Sequence, residues 1–252
     1  MEKFETMQQL LSYTRRAVDD YNMIEEGDKI AVGVSGGKDS LTLLCALKGL
    51  QRFYPKKFEI VPLAIDMGFD GCDYTTVHEL CARLDLKLEI VKTEIKTVVF
   101  DIRKESAPCS LCANMRRGAL NESAKNLGCN KVALGHHFDD VVETLVMNLF
   151  NEGRIGCFSP VTYLDRIDIT VLRPFIYVPE KFVVSFVRRN SITPLPKLCQ
   201  EDGNTDREYY KNLISTLEQR DKGVKMRIFG ALERAEVNGF TTHERARRTK
   251  SN

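Results

Sequence analysis

No apolar run in this chain approaches the ~20 residues that a membrane span requires. The first residues, Met1-Glu2-Lys3-Phe4-Glu5, are acidic and amphipathic and lack the apolar core of a secretory leader. There is no internal repeat and no low-complexity tract. Neither sign of charge dominates: the formal net charge is +2. A polyanion partner is therefore neither demanded nor excluded, and the distribution of charge matters more than its sum. An apolar fraction of 43% and a charged fraction of 29% exclude a collagen, a coiled-coil rod and a wholly disordered chain. An intracellular, cytoplasmic globular protein with no membrane partner is expected.

What is present is a chain of 252 residues, enough for one α/β domain with additions or for two small domains. A chain this long hides roughly 70–75% of its unfolded surface and needs no staples. It carries eight cysteines. Without a secretory leader these are not expected to form a disulfide framework. Cys45, Cys81 and Cys129 stand where a small apolar residue would serve, which predicts packing roles. Arginine doublets occur at Arg15-Arg16, Arg116-Arg117 and Arg188-Arg189, and a basic tail holds Arg245, Arg247, Arg248 and Lys250.

Helical and strand patterns alternate along the chain. A helix is expected over residues 5–21, then strands over 29–34, 58–65, 86–91, 131–135 and 167–172. Helices starting near Asp39, Tyr74, Ser110 and Asp139 separate them. The prediction is an α/β fold with a doubly wound, parallel, five-stranded sheet. The expected division is an N-terminal helix (1–27), a nucleotide-binding α/β domain (28–178) and a helical C-terminal extension with the basic tail (179–252). Ligands of such sheets bind at the carboxyl ends of the strands, so the loops after the first, second and fourth strands should carry function.

The loop after the first strand is Ser35-Gly36-Gly37-Lys38-Asp39-Ser40. Glycines there let backbone N–H groups approach phosphate oxygens, and the helix N-terminus and Lys38 add positive charge. It is not a Walker A loop, because the first glycine of that motif falls on Val32 and the Ser/Thr on Asp39. Nor is it Gly-x-Gly-x-x-Gly. A carboxylate inside a phosphate cradle repels the anion unless Mg²⁺ lies between them or the carboxylate caps the helix. Asp39 is thus a candidate Mg²⁺ ligand or mechanistic residue, or a helix cap.

Two further clusters carry chemistry. In Pro108-Cys109-Ser110-Leu111-Cys112 the thiols lie on one side of a helix start, where the dipole favours thiolates. A redox pair, a zinc site and an iron–sulfur site all remain open on spacing alone. Gly135-His136-His137-Phe138-Asp139-Asp140 ends the fourth strand. Its histidines and carboxylates either bind a metal or fix the strand-to-helix turn, with Asp139 as a cap.

Ser-Gly-Gly-Lys-Asp-Ser resembles the signature of the PP-loop ATP pyrophosphatases. With Tyr21-Asn22-Met23-Ile24-Glu25-Glu26-Gly27-Asp28, with Cys109-Ser110-Leu111-Cys112 followed by Arg116-Arg117-Gly118, and with Leu134-Gly135-His136-His137 before Asp139-Asp140, the chain resembles the tRNA 2-thiocytidine synthetases. That family places a Pro-Cys-x-x-Cys downstream; here Pro194-Leu195-Pro196-Lys197-Leu198-Cys199 retains one cysteine. Met67-Gly68-Phe69-Asp70-Gly71-Cys72 also departs from the family pattern.

The resemblance implies a PP-loop, adenine nucleotide α-hydrolase-like fold and two chemical steps. ATP with Mg²⁺ adenylates the C2 oxygen of an anticodon-loop cytidine, and sulfur carried on a 4Fe–4S cluster then replaces AMP. Lys38 and Asp39 are the implied catalytic residues, with Asp39 on Mg²⁺. Ser35, Gly36, Gly37, Lys38, Asp39 and Ser40, with Ala64 and Asp66 after the second strand and Gly135, His136 and Asp140 after the fourth, are the implied nucleotide contacts. Cys109, Cys112 and Cys199 are the implied cluster ligands, with Cys157 and Cys72 as rivals for the third place. Arg116, Arg117, Arg188 and Arg189 are expected to hold RNA phosphates. The expected partners are tRNA, a sulfur donor (a cysteine desulfurase or sulfide) and a second copy of the chain. The competing expectations are another PP-loop tRNA modifier, of 2-thiouridine or lysidine type, and a non-catalytic ATP- or cluster-binding regulator.

Overall fold

The computed structural model describes residues 4–103, 108–196, 199 and 206–242. The basic tail with Arg245, Arg247, Arg248 and Lys250 lies outside the described residues. The chain opens with α1 (Met7–Asp20), which buries Leu10, Leu11, Ala17 and Val18 along one stripe. Then follow β1 (Asp28–Gly33), α2 (Lys38–Gln51), β2 (Phe58–Asp66), α3 (Thr75–Arg83) and β3 (Glu89–Lys92). A π-helical turn at Thr97–Ile102 precedes α4 (Pro108–Asn126), β4 (Lys131–Ala133) and α5 (Phe138–Asn151). A hairpin of β5 (Val161–Leu164) and β6 (Ile169–Leu172) leads to α6 (Glu180–Arg189), α7 (Asp206–Arg220) and α8 (Val224–Arg234).

The sheet has six strands in the order β3-β2-β1-β4-β6-β5, not the five expected. All pairs are parallel except β5 with β6. The extra strand is a short edge strand, and its Tyr163 is 61% exposed. Four residues of weak alternation give no period to read. Alternation is clear in the central strands. Ile30 and Val32 of β1 face one hydrophobic cluster, with α1, α2, α5 and α6, while Ala31 faces the other, with α4.

The C-terminal helices pack on the first of these faces. Phe229 of α8 meets Phe138 at 5.0 Å and Tyr177 at 5.7 Å between ring centroids. Beneath the sheet, Lys131 donates to Asp28 at 2.7 Å and to the Met23 carbonyl at 3.0 Å, a buried ion pair joining β1 to β4. At the opposite edge, β1 leads toward β2 on one side and β4 toward β6 on the other. Their loops diverge, which opens a crevice at the carboxyl ends of β1 and β4.

Candidate active site

The glycine loop occupies that crevice. Gly37 is the N-cap of α2 with extended backbone, and Lys38 and Asp39 begin the helix. Asp39 is therefore not the cap. Ser40 folds back on the loop: its Oγ accepts from Ser35 N at 3.1 Å and donates to the Gly37 carbonyl at 3.0 Å. Gly36 has φ +79, a region that glycine enters without strain. Gly135, after β4, is needed for another reason. A Cβ there would stand 3.0–3.1 Å from the Asp39 carbonyl group and Ser40 N, so glycine lets the two loops touch.

Lys38 Nζ lies 3.0 Å from Asp39 Oδ2 and 3.1 Å from Glu180 Oε1. Burial works against its charge, but the two carboxylates outweigh burial and raise its pKa. Glu180, the first residue of α6, also meets Lys211 of α7 at 2.8 Å. Burial pushes Glu180 up, yet Lys211 and Lys38 bring it down to about 2.

The His-His-x-Asp-Asp segment fixes the turn into α5. His137 is the N-cap: its Nδ1 accepts from Asp140 N, and Asp140 Oδ2 accepts from His137 N at 2.8 Å, a reciprocal capping box. The cap expected at Asp139 is thus at His137. Asp139 instead accepts from Glu180 N at 2.7 Å and Lys225 Nζ at 2.6 Å, tying α6 and α8 to α5. His136 faces the crevice with its ring 4.8 Å from Phe158 and its buried Nδ1 without a hydrogen-bond partner among the described residues. Burial, then the nearby Arg173, lowers its pKa to about 4, so it is neutral at pH 7.

A cavity of about 350 Å³ lies over these loops, walled by Ser35, Asp39, Ser40, Gly135, His136 and Asp140, by Leu63 and Ile65 of β2, and by Arg116 and Arg117 of α4. Ala64 is fully buried and belongs to the core cluster of the opposite sheet face; Ile65 is the wall residue. Arg207 of α7 also reaches this cavity, and sequence reasoning missed it. Its guanidinium donates to Thr144 Oγ1 at 3.0 Å and to Asp140 Oδ1 at 3.4 Å, and its Nε stands 4.0 Å from Glu143. Burial, then Asp140, pushes Glu143 up to about 7.

A second cavity, about 270 Å³, adjoins the first and shares Ser35, Ile65 and Arg116 with it. Asp66, Met67, Cys72, Leu195, Pro196 and Cys199 complete much of its wall. Cys112 touches Met67 at 3.8 Å between sulfurs. Burial, then the charges of Cys199 and Cys109, raises the Cys112 pKa, with Arg116 opposing. Cys199 and Cys72 line this cavity, Cys112 meets its wall at Met67, and Cys109 is exposed at the start of α4. Cys157 is buried against the Val141 carbonyl at 3.6 Å, and burial pushes its thiol up to about 12. Cys45, Cys81 and Cys129 are buried in the core, as expected.

Arg188 and Arg189 line neither of these two cavities. They close the last turn of α6, where positive charge suits the helix dipole, and Arg189 pairs with Glu5 at 3.6 Å. Among the described residues, no three His, Cys, Asp or Glu side chains converge to hold a single metal ion.

The sheet and its glycine loop define an α/β nucleotide-loop protein, and a PP-loop domain model matches residues 7–217. The tRNA-cytidine(32) 2-sulfurtransferase of Syntrophotalea carbinolica is 39% identical over 222 residues, covering 87% of this chain and 86% of that protein. The one from Geotalea uraniireducens is 40% identical over 220 residues, covering 86% and 87%. The U34-tRNA thiolase NcsA from Methanococcus maripaludis, solved with its [4Fe-4S] cluster, superposes with a TM-score of 0.74 at 21% identity. It covers 90% of this chain and 78% of that one, and shows that the fold is shared. The chain belongs to the PP-loop family, in the branch of the tRNA-cytidine(32) 2-sulfurtransferases.

Proposed function

We propose that this protein thiolates a tRNA cytidine in the anticodon loop, at the position numbered 32 in its relatives' name, using ATP. The observation that carries the reading is the shared wall between the two cavities. Ser35, Ile65 and Arg116 line both, so a base at that wall reaches the nucleotide loop on one side and the cavity of Cys199 and Cys72 on the other.

In the first step the C2 oxygen of cytidine bonds to the α-phosphorus of ATP. The bond from the α-phosphorus to its bridging oxygen breaks, and pyrophosphate leaves. Lys38 and the N–H groups of the Ser35–Ser40 loop hold the departing phosphates. Asp39 is the carboxylate that would hold Mg²⁺ once Lys38 turns to phosphate; oxygen donors suit that ion. In the second step a sulfide-level sulfur bonds to C2, the C2–O bond breaks, and AMP carries the oxygen away. Sulfide supplied as such exchanges no electrons with an outside partner; sulfane sulfur from a desulfurase persulfide first gains two electrons from a thiol reductant, which leaves as a disulfide. Arg116 and Arg117, on the cavity wall, hold RNA phosphates.

Cys109, Cys112 and Cys199 fit a 4Fe–4S cluster. All three are free and, unlike Cys157, none lies in the core; Cys199 lines the second cavity, and Cys112 meets Met67 of its wall at 3.8 Å between sulfurs. Their three thiolates would hold three of the irons, and a cluster bound there would supply an iron open to the incoming sulfur. The protein works in the cytoplasm as a homodimer, with a cysteine desulfurase or sulfide as the donor. No described helix is long and apolar enough to cross a membrane, in keeping with that location.

Mass spectrometry of tRNA nucleosides from cells with and without the protein tests the reading. Loss of 2-thiocytidine on deletion supports it. Full 2-thiocytidine with loss of 2-thiouridine or lysidine moves the protein to another PP-loop branch.

A further inference from the structure

We infer that Leu195 is a positioning residue that ties the Cys199 thiol to the phosphate-binding loop, so that nucleotide and cluster binding are coupled. The inference rests on the cluster reading above.

After α6 the chain is anchored at Ile192, which is buried and donates from its N–H to the Val187 carbonyl at 3.1 Å. Its next backbone bond among the described residues is Leu195 N to the Gly36 carbonyl, at 2.9 Å. Pro194 and Pro196 flank Leu195. Proline has no N–H and a restricted φ, so Leu195 carries the one backbone donor of this stiff tripeptide. Its side chain adds a wedge. A Cβ on Gly36 would stand 2.5–2.9 Å from Leu195 Cδ1, Cγ and Cβ, so the leucine fills space that only glycine leaves open.

That hydrogen bond grips one peptide unit of the loop. The Gly36 carbonyl and the Gly37 N–H belong to the same planar group and point in opposite directions. Holding the carbonyl with Leu195 therefore sets where the Gly37 N–H points. Gly37 N–H lies in the cradle that receives phosphate, and in this structure it donates to Ser35 Oγ at 3.3 Å. Phosphate on the N–H side and Leu195 on the carbonyl side polarise the same amide, and each strengthens the other.

The other end of the strap is a thiol. Four residues of extended chain reach at most about 14 Å, which keeps Cys199 near the loop. Leu195, Pro196 and Cys199 line one cavity with Ser35 and Gly37, and Met67 of the same wall touches Cys112 at 3.8 Å between sulfurs. Nucleotide on the loop therefore holds Leu195 in place and with it the third thiol. By reciprocity, a filled cluster holds the loop peptide in its phosphate-binding orientation.

The test uses the full chain, reconstituted anaerobically with iron and sulfide. The probe is an ATP analogue with a methylene between the α- and β-phosphates, which cannot be split there. Two readouts are taken: the Kd of the analogue with and without the cluster, and the visible circular dichroism of the cluster with and without the analogue. In the wild type, cluster loading should tighten the analogue about 5-fold or more, the usual lower range of coupling, and the analogue should shift the cluster spectrum. Leu195→Pro removes the N–H and Leu195→Ala removes the wedge. Both should bring the ratio of Kd values toward one, while Leu195→Met keeps the wild-type ratio. Loss of iron confined to the proline and alanine variants, at unchanged Tm, also supports the positioning role. A wild-type ratio retained in both variants overturns the inference. So does iron-loaded wild type whose spectrum ignores the analogue. Wild type that takes up no iron overturns the cluster reading, and this inference falls with it.

Discussion

Glu180 holds Lys38 at 3.1 Å, joining the C-terminal helices to the phosphate loop. Lys38 is also bonded to both oxygens of Asp39. An arriving phosphate must draw the ammonium away from two carboxylates. Glu180 remains satisfied when that happens, because Lys211 donates to both of its oxygens. Asp39 is released, which frees a carboxylate beside the phosphates just when a cation is needed there.

Lys38→Ala should weaken ATP binding. A charge-assisted phosphate contact of this kind contributes about 1.5–3 kcal/mol, or roughly 10- to 150-fold in Kd. Titration calorimetry with ATP and Mg²⁺ measures it. Unchanged affinity would remove Lys38 from the phosphate site.

Gly135→Ala should damage the same loop from the β4 side. The new Cβ meets the backbone of Asp39 and Ser40 at 3.0–3.1 Å, and backbone yields less readily than a side chain end. A stability loss of about 1–3 kcal/mol is expected, as for other overpacked sites, together with weaker ATP binding. Urea denaturation and calorimetry read the two effects separately.

Glu143 makes stability depend on pH. Its folded pKa, about 7, lies above the usual carboxyl value. The folded state keeps this proton longer than the unfolded chain does. Its contribution is therefore complete below the unfolded pKa and is lost as pH rises from about 4 toward 7. Glu143→Gln, which stays neutral, should flatten that slope and make the variant more stable than wild type at pH 8, by up to about 3 kcal/mol. Urea midpoints at pH 5 and pH 8 check this; parallel changes in both proteins refute it.

Lys131→Met should destabilise the fold without touching the site. It leaves Asp28, 3% exposed, as a buried charge without its ammonium. Removing one member of such a pair costs about 3–5 kcal/mol. Asn130 and the Glu25 N–H still donate to Asp28, which sets the loss toward the lower end. ATP affinity measured well below the Tm should match the wild type.

The glycine loop and the Cys-x-x-Cys pair were legible because each is contiguous. Their chemistry depends on neighbours a few residues away, and a strand before and a helix after can be read from local periodicity. The same holds for Gly135 and the turn at His137, although the cap fell two residues earlier than the sequence suggested. Arg207 and Glu180 were not legible. On their own helices they look like any solvated charge, although Pro179 before an acidic residue does mark a helix start. Arg188-Arg189 and Arg116-Arg117 are identical doublets in sequence. One ended in the last turn of α6 and the other on a cavity wall, a difference made by helix docking alone.

The sequence by itself determined which chemical groups the protein holds, and how the loop that meets phosphate is built. Backbone donors, glycine conformations and the spacing of two thiols are local properties of a short stretch of chain. Only the tertiary structure decided what faces that loop: Glu180 on Lys38, Arg207 on Asp140, and Leu195 on Gly36. Those partners come from helices and a strap far along the chain, placed by burial of apolar faces such as Phe229 on Phe138. Hydrophobic burial has no direction of its own, so the charged residues on the opposite sides of those helices arrive wherever the packing carries them.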